Sequence, residues 1–215
     1  MQLFLDSADL TEVREIARWN VLRGITTNPS LLAKAGQTMA GFMAEAGSLV
    51  NGPISLEVMT EEPQAMVEEA KELKKFGEQV IIKVPMTEAG LIAQKGMHEA
   101  GLKTNITLVF SANQALLAAA AGGDYVSPFM GRLDDNGAQG FQLIQEIKDI
   151  YRQYGMPTKI IAASLRTARE VTDAALAGAD IATIPYAIMK KMVAHPLTDL
   201  GIERFKKDWA VANGK

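Results

Sequence analysis

The chain has 215 residues and an apolar fraction of 48%, enough for the core of one large domain or two small ones. Its formal net charge is −3 and no long basic block occurs, which argues against a nucleic acid partner, since a surface that tracks phosphates needs clustered Lys and Arg. The absence of cysteine excludes disulfides, thiolate nucleophiles and zinc–thiolate sites and fits a reducing compartment.

The opening "MQLFLD" has no basic stretch followed by an apolar signal core, and no apolar run is long enough to cross a bilayer. The expectation is a cytoplasmic protein without a membrane partner. The first β-rich run is "LFL" (3–5). A capping-box pattern, Asp9 with Glu12, then starts a helix through Val13 and Ile16. "GIT" (24–26) and "ISLEV" (54–58) follow, and Pro63 stands where a first helical turn accepts proline. The "EEAKELKK" run (68–75) reads as a solvated helix face. Next comes "VIIKV" (80–84), then a helix capped by Thr87. "TNITL" (104–108) precedes a helix that Ser111 and Gln114 start and Gly122 stops. "YVS" (125–127) leads to "GRLDD", where Asp134 and Asp135 suit loop capping better than a metal, for want of a third ligand. "KIIAAS" (159–164), a helix begun by Thr167 and Glu170, and "IATI" (181–184) complete the series. His98 and His195 stand apart, without a partner at metal spacing, and read as surface or capping residues.

Eight strands alternating with helices over the whole chain predict parallel pairing closed into one (β/α)8 barrel spanning 1–215, with a C-terminal helix. An open doubly wound sheet is the alternative, but the first strand leads into "DSADLTE", with no glycine-rich phosphate loop.

Strand side chains alternate between faces. With Lys83 and Ile81 inward, Val80, Ile82 and Val84 meet the helices. The same phase turns in Ser55 and Glu57, Asn105 and Thr107, and Phe4 and Asp6, and sends Leu3, Leu5, Ile106 and Leu108 outward; Ala162 pairs with Ser164. Asp6, Glu57, Lys83, Asn105, Thr107 and Ser164 therefore converge on one rim, the C-terminal end where such barrels place their active sites. Lys83 in its apolar run has two readings. Desolvation can leave a neutral amine that attacks carbonyls and forms a Schiff base, with Asp6 and Glu57 as proton shuttles. Alternatively it makes a buried salt bridge to Glu57 on the preceding strand.

"FLDSADL", "GITTNPSLL", "IIKVPMT", "TNITLVFSANQA", "YVSPFMGRLDD", "IIAASLRT" and "FKKDW" together resemble the short-chain transaldolase and fructose-6-phosphate aldolase subfamily over nearly the full chain. The resemblance implies a class I aldolase barrel that uses a lysine Schiff base without metal or other cofactor. Such an enzyme moves a dihydroxyacetone unit from sedoheptulose 7-phosphate or fructose 6-phosphate to glyceraldehyde 3-phosphate or erythrose 4-phosphate in the pentose phosphate pathway. It implies Lys83 as the Schiff-base residue and Asp6 as the acid/base of C–C cleavage. By the same resemblance, Glu57 and Thr107 should hold a catalytic water, Asn28 and Asn105 should bind substrate hydroxyls, Arg132, Ser164 and Arg166 should bind phosphate, and Ser127 matches a further site residue. The aldolase branch resembles this chain but carries Gln at the position of Glu57 and Tyr at that of Phe129, so transaldolase is the expected activity, with the aldolase and a non-catalytic sugar-phosphate-binding protein as alternatives. The subfamily also implies a homo-oligomer, pentamers pairing into decamers, in which the C-terminal helix, with Ile202, Phe205 and Trp209 at helical spacing, reaches another subunit.

Overall fold

A computed structural model describes residues 1–214. The strands are β1 (Gln2–Asp6), β2 (Leu22–Thr26), β3 (Ile54–Glu57), β4 (Val80–Pro85), β5 (Thr104–Val109), β6 (Tyr125–Pro128), β7 (Lys159–Ala162) and β8 (Ile181–Pro185). Each pairs in parallel with the next, and β1 pairs with β8, so the sheet closes into the expected (β/α)8 barrel. The helices are α1 (Leu10–Ala17), α2 (Pro29–Lys34), α3 (Met39–Leu49), α4 (Pro63–Lys74), α5 (Glu88–Glu99), α6 (Ala112–Ala120), α7 (Met130–Asp134), α8 (Gly140–Tyr154), α9 (Ala168–Leu176), α10 (Tyr186–Val193) and α11 (Pro196–Ala212). None of the described helices is long and apolar enough to cross a membrane.

Local chemistry starts the helices where the sequence predicts. Thr87, Ser111 and Thr167 each accept a backbone N–H three residues on, and Pro63 occupies the first turn of α4. The box at α1 closes by a detour. Asp9 accepts from the N–H groups of Thr11 and Glu12, while Glu12 accepts from the Ser7 hydroxyl, which itself accepts from the Asp9 N–H. Asp134 accepts from the N–H of Gly140 and so serves the start of α8, and His195 caps α11 through Nδ1.

The core divides into two layers. Leu5, Ile25, Leu56, Val80, Ile82, Val84, Ile106, Val126, Ile160 and Ile184 face the helices. Phe4, Ile161 and Ile181, with Tyr125, fill the barrel interior. Gly24 makes room there, because a Cβ on it would lie 2.5 Å from the Phe4 ring.

Two strands depart from simple alternation, and both correct the sequence reading. In β7, Ala162 belongs to the helix-facing layer and Ile161 to the interior, the reverse of the expected phase. The strand ends at Ala162, and Ser164 reaches the site because it adopts a left-handed backbone, φ 63°, which resets the direction of its side chain. In β5, Leu108 takes φ 60° within an irregular stretch of the β5–β6 register. Val109 then packs toward the helices and Leu108 stays out of that layer, whereas strict alternation predicts Leu108 outward.

Candidate active site

Register sets the polar side chains at one level. Glu57 lies opposite Lys83, Lys83 opposite Asn105, and Asp6 opposite Thr26. Lys83 is 6% exposed. Its Nζ lies 3.1 Å from Glu57 Oε2 and donates to the Thr27 carbonyl at 3.2 Å. Of the two readings of Lys83, the salt bridge to Glu57 is thus present in the resting site. The pair does not enclose Lys83, which also lines a cavity with Asp6, Thr26, Asn28, Ser127, Phe129, Arg132, Ser164, Arg166 and Thr183.

Burial holds the Asp6 carboxyl above its ordinary range; the Thr26 hydrogen bond and the charges of Lys83 and Arg166 pull the other way and only partly offset it. Asn28 spends its side-chain oxygen on the N–H of Leu31, capping α2, which leaves its amide N–H₂ for the cavity. Arg132 sits beside two rings, 5.1 Å from the Phe129 centroid and 5.9 Å from that of Phe110, which themselves meet edge to face. Arg166 reaches Asp135 at 3.4 Å. The two guanidiniums thus come to one rim from α7 and from the segment after β7.

Glu57, Asn105 and Thr107 stand behind this wall. Glu57 borders a neighbouring groove with Met59, Thr60 and Pro85, so Lys83 lies between two openings. Asn105 is fully buried, accepts from the Ser127 hydroxyl at 2.7 Å and donates to Ser55 at 3.4 Å, so it meets the cavity through Ser127. Thr107 is fully buried and its hydroxyl has no partner. The sequence reading omitted Thr26 and Thr183, which line the cavity. Both have the inward phase of their strands, but threonine is too ordinary in a strand to stand out. Among the described residues no group of three or more His, Cys, Asp or Glu could hold a metal.

A barrel interior with a buried amine between two carboxylates, opening on a mouth with two arginines, is equipped for carbonyl chemistry on an anionic substrate. The sequence model of the transaldolase/fructose-6-phosphate aldolase family matches residues 3–214, and the chain belongs to that family and is an enzyme. Proteins named probable transaldolase are similar along their whole length. That of Alkaliphilus metalliredigens is 54% identical over 97% of this chain and 98% of its own. That of Caldicellulosiruptor saccharolyticus is 52% identical over 97% of both chains. That of Clostridium tetani is 49% identical over 99% of this chain and 100% of its own.

Proposed function

We propose that the protein is a transaldolase that carries a dihydroxyacetone unit from sedoheptulose 7-phosphate or fructose 6-phosphate to glyceraldehyde 3-phosphate or erythrose 4-phosphate, within the pentose phosphate pathway of the cytoplasm. The placement of the Lys83 amine between Glu57 and the Asp6-lined cavity carries this reading. The amine needs its lone pair to attack the ketone carbon, and Glu57 is the neighbour that takes its proton. The resulting carbinolamine loses its hydroxyl as water, with Glu57 returning the proton, and leaves an iminium on Lys83. Asp6 then takes the proton of the hydroxyl beyond the scissile bond. The electron pair of that C–C bond flows into the iminium, an aldehyde departs and an enamine remains. The enamine carbon attacks the acceptor aldehyde, Asp6 returns its proton to the new oxygen, and water releases the product.

The elevated carboxyl of Asp6 suits this work, since a base closer to the working pH is better matched to proton transfer. The unpartnered Thr107 hydroxyl and Glu57 are the groups that would hold the water. Asn28, Ser127 and Ser164 offer hydrogen bonds to the sugar, with Asn105 orienting Ser127. Arg132 and Arg166 supply planar, permanently charged donors for the phosphate. Phe129 has no hydroxyl to activate that water, which favours transfer over release of free dihydroxyacetone.

The test is acceptor dependence. Fructose 6-phosphate alone should yield little dihydroxyacetone, and adding erythrose 4-phosphate should yield sedoheptulose 7-phosphate. Borohydride with a ketose phosphate should add mass at Lys83, and the Lys83→Met variant, folded, should not be labelled. Acceptor-independent release as the main reaction would make the enzyme an aldolase instead.

A further inference from the structure

Three strands meet in a chain of hydroxyls behind Asp6. Thr26 Oγ1 on β2 lies 2.8 Å from Asp6 Oδ1 on β1, and 2.6 Å from Thr183 Oγ1 on β8. Thr26 and Thr183 are each 3% exposed. An ionised carboxylate only accepts, so Thr26 donates its single proton to Asp6. The Thr183 hydroxyl must then donate to Thr26. Both hydrogen positions are therefore dictated as long as Asp6 is charged, and each bond polarises the next. Asp6 Oδ2 has no hydrogen-bond partner among the described residues, which leaves that oxygen for the substrate.

We propose that Thr183 and Thr26 are positioning residues that hold Asp6 by one oxygen and favour its ionised form, so that the other oxygen waits as the base of C–C cleavage. The proposal rests on the reading of Asp6 as that base. The effect runs against burial, the larger influence on this carboxyl. Thr183 does not touch the acid itself, so its influence passes only through the orientation of Thr26. The charged groups around Asp6 are Lys83 on β4, Arg166 after β7 and Arg132 on α7 across the cavity, with Glu57 beyond Lys83. None of them changes in the variants below.

The test is the acid limb of kcat/KM, which reports the essential base of the free enzyme. Thr26→Val removes a hydrogen bond to a charged group and should move that limb up by about one pH unit. Thr183→Val should move it the same way by less. Thr26→Ser and Thr183→Ser should return it to the wild-type position. Titration of ¹³C-labelled aspartate carboxyl groups should show Asp6 following the same order. Where valine prevents folding, cysteine keeps the volume, replaces a strong donor by a weak one, and must still displace the limb upward. A limb unmoved in folded valine or cysteine variants, with borohydride labelling of Lys83 intact, overturns the relay alone. Failure of the wild-type enzyme to label at Lys83 overturns the reaction beneath it.

Discussion

At the scale of single residues, the site stores cost where it holds function. The place of Asp6 favours the neutral acid, because desolvation outweighs the Thr26 hydrogen bond and the nearby cations. The native carboxyl thus binds its proton more tightly than the unfolded one, whose pKa is about 3.9. Below that pH both states are protonated and Asp6 costs nothing; as pH rises through the folded value the native state loses stability relative to the unfolded chain. The Asp6→Asn variant keeps an acceptor for Thr26 and removes the buried charge. It should be inactive, more stable than the wild type at pH 7 by urea midpoint, and no more stable near pH 3. Equal midpoints at both pH values would show that burial of the charge is not what Asp6 costs. Lys83 was legible in the sequence because a charge inside "VIIKV" breaks a rule. Thr26 and Thr183 break none, and only the closure of β1 onto both β2 and β8 brings their hydroxyls to Asp6.

At the scale of elements, the rim that carries the two arginines depends on how closely α7 approaches the end of β7. A Cβ on Gly131 would lie 1.8 Å from the Ser164 carbonyl oxygen and 3.2 Å from Arg166 Cγ. Gly131 is therefore the residue that lets Arg132 on one element share a cavity with Ser164 and Arg166 on another. Gly131→Ala must push the two segments apart, at a cost of about 1–3 kcal/mol for overpacking. The KM for a phosphorylated ketose should rise about tenfold or more, while borohydride trapping of unphosphorylated dihydroxyacetone at Lys83 persists. A wild-type KM in the folded variant would show that the rim tolerates the shift. The same region marks where sequence reasoning ran out. Alternation with period two placed the inward residues of β1, β3 and β4 correctly, since those strands stay regular up to the site. It failed at Leu108 and in β7, where left-handed residues without a glycine signal reset the phase. The sequence places Ser164 on the rim by alternation and by its motif, and neither carries information about the backbone turn that delivers it.

At the scale of the whole molecule, α11 is out of place on a single chain. It has no buried residue, and Leu197, Leu200, Phe205, Trp209 and Val211 are all 60–78% exposed. At 100° per residue, Ile202, Phe205 and Trp209 fall within about 60° of one another, and Leu197, Leu200 and Val211 cluster within about 60° on the opposite side. A helix apolar on two opposite faces needs contacts on both, whereas one lying on a single surface needs only a stripe. We therefore propose that α11 inserts between neighbouring copies in a homo-oligomer, with a pentamer or decamer the size implied by resemblance. The two faces should fail separately. Phe205→Glu with Trp209→Glu breaks one contact, and Leu200→Glu with Val211→Glu breaks the other. Each should yield a smaller species in sedimentation velocity, with a melting temperature that falls on dilution. The barrel fold should persist by circular dichroism in both, because neither pair of residues contributes to the core. A wild-type chain that sediments as a monomer at micromolar concentration would refute the assembly. One face tolerating glutamates while the other does not would show that α11 lies on a neighbour without being enclosed by it.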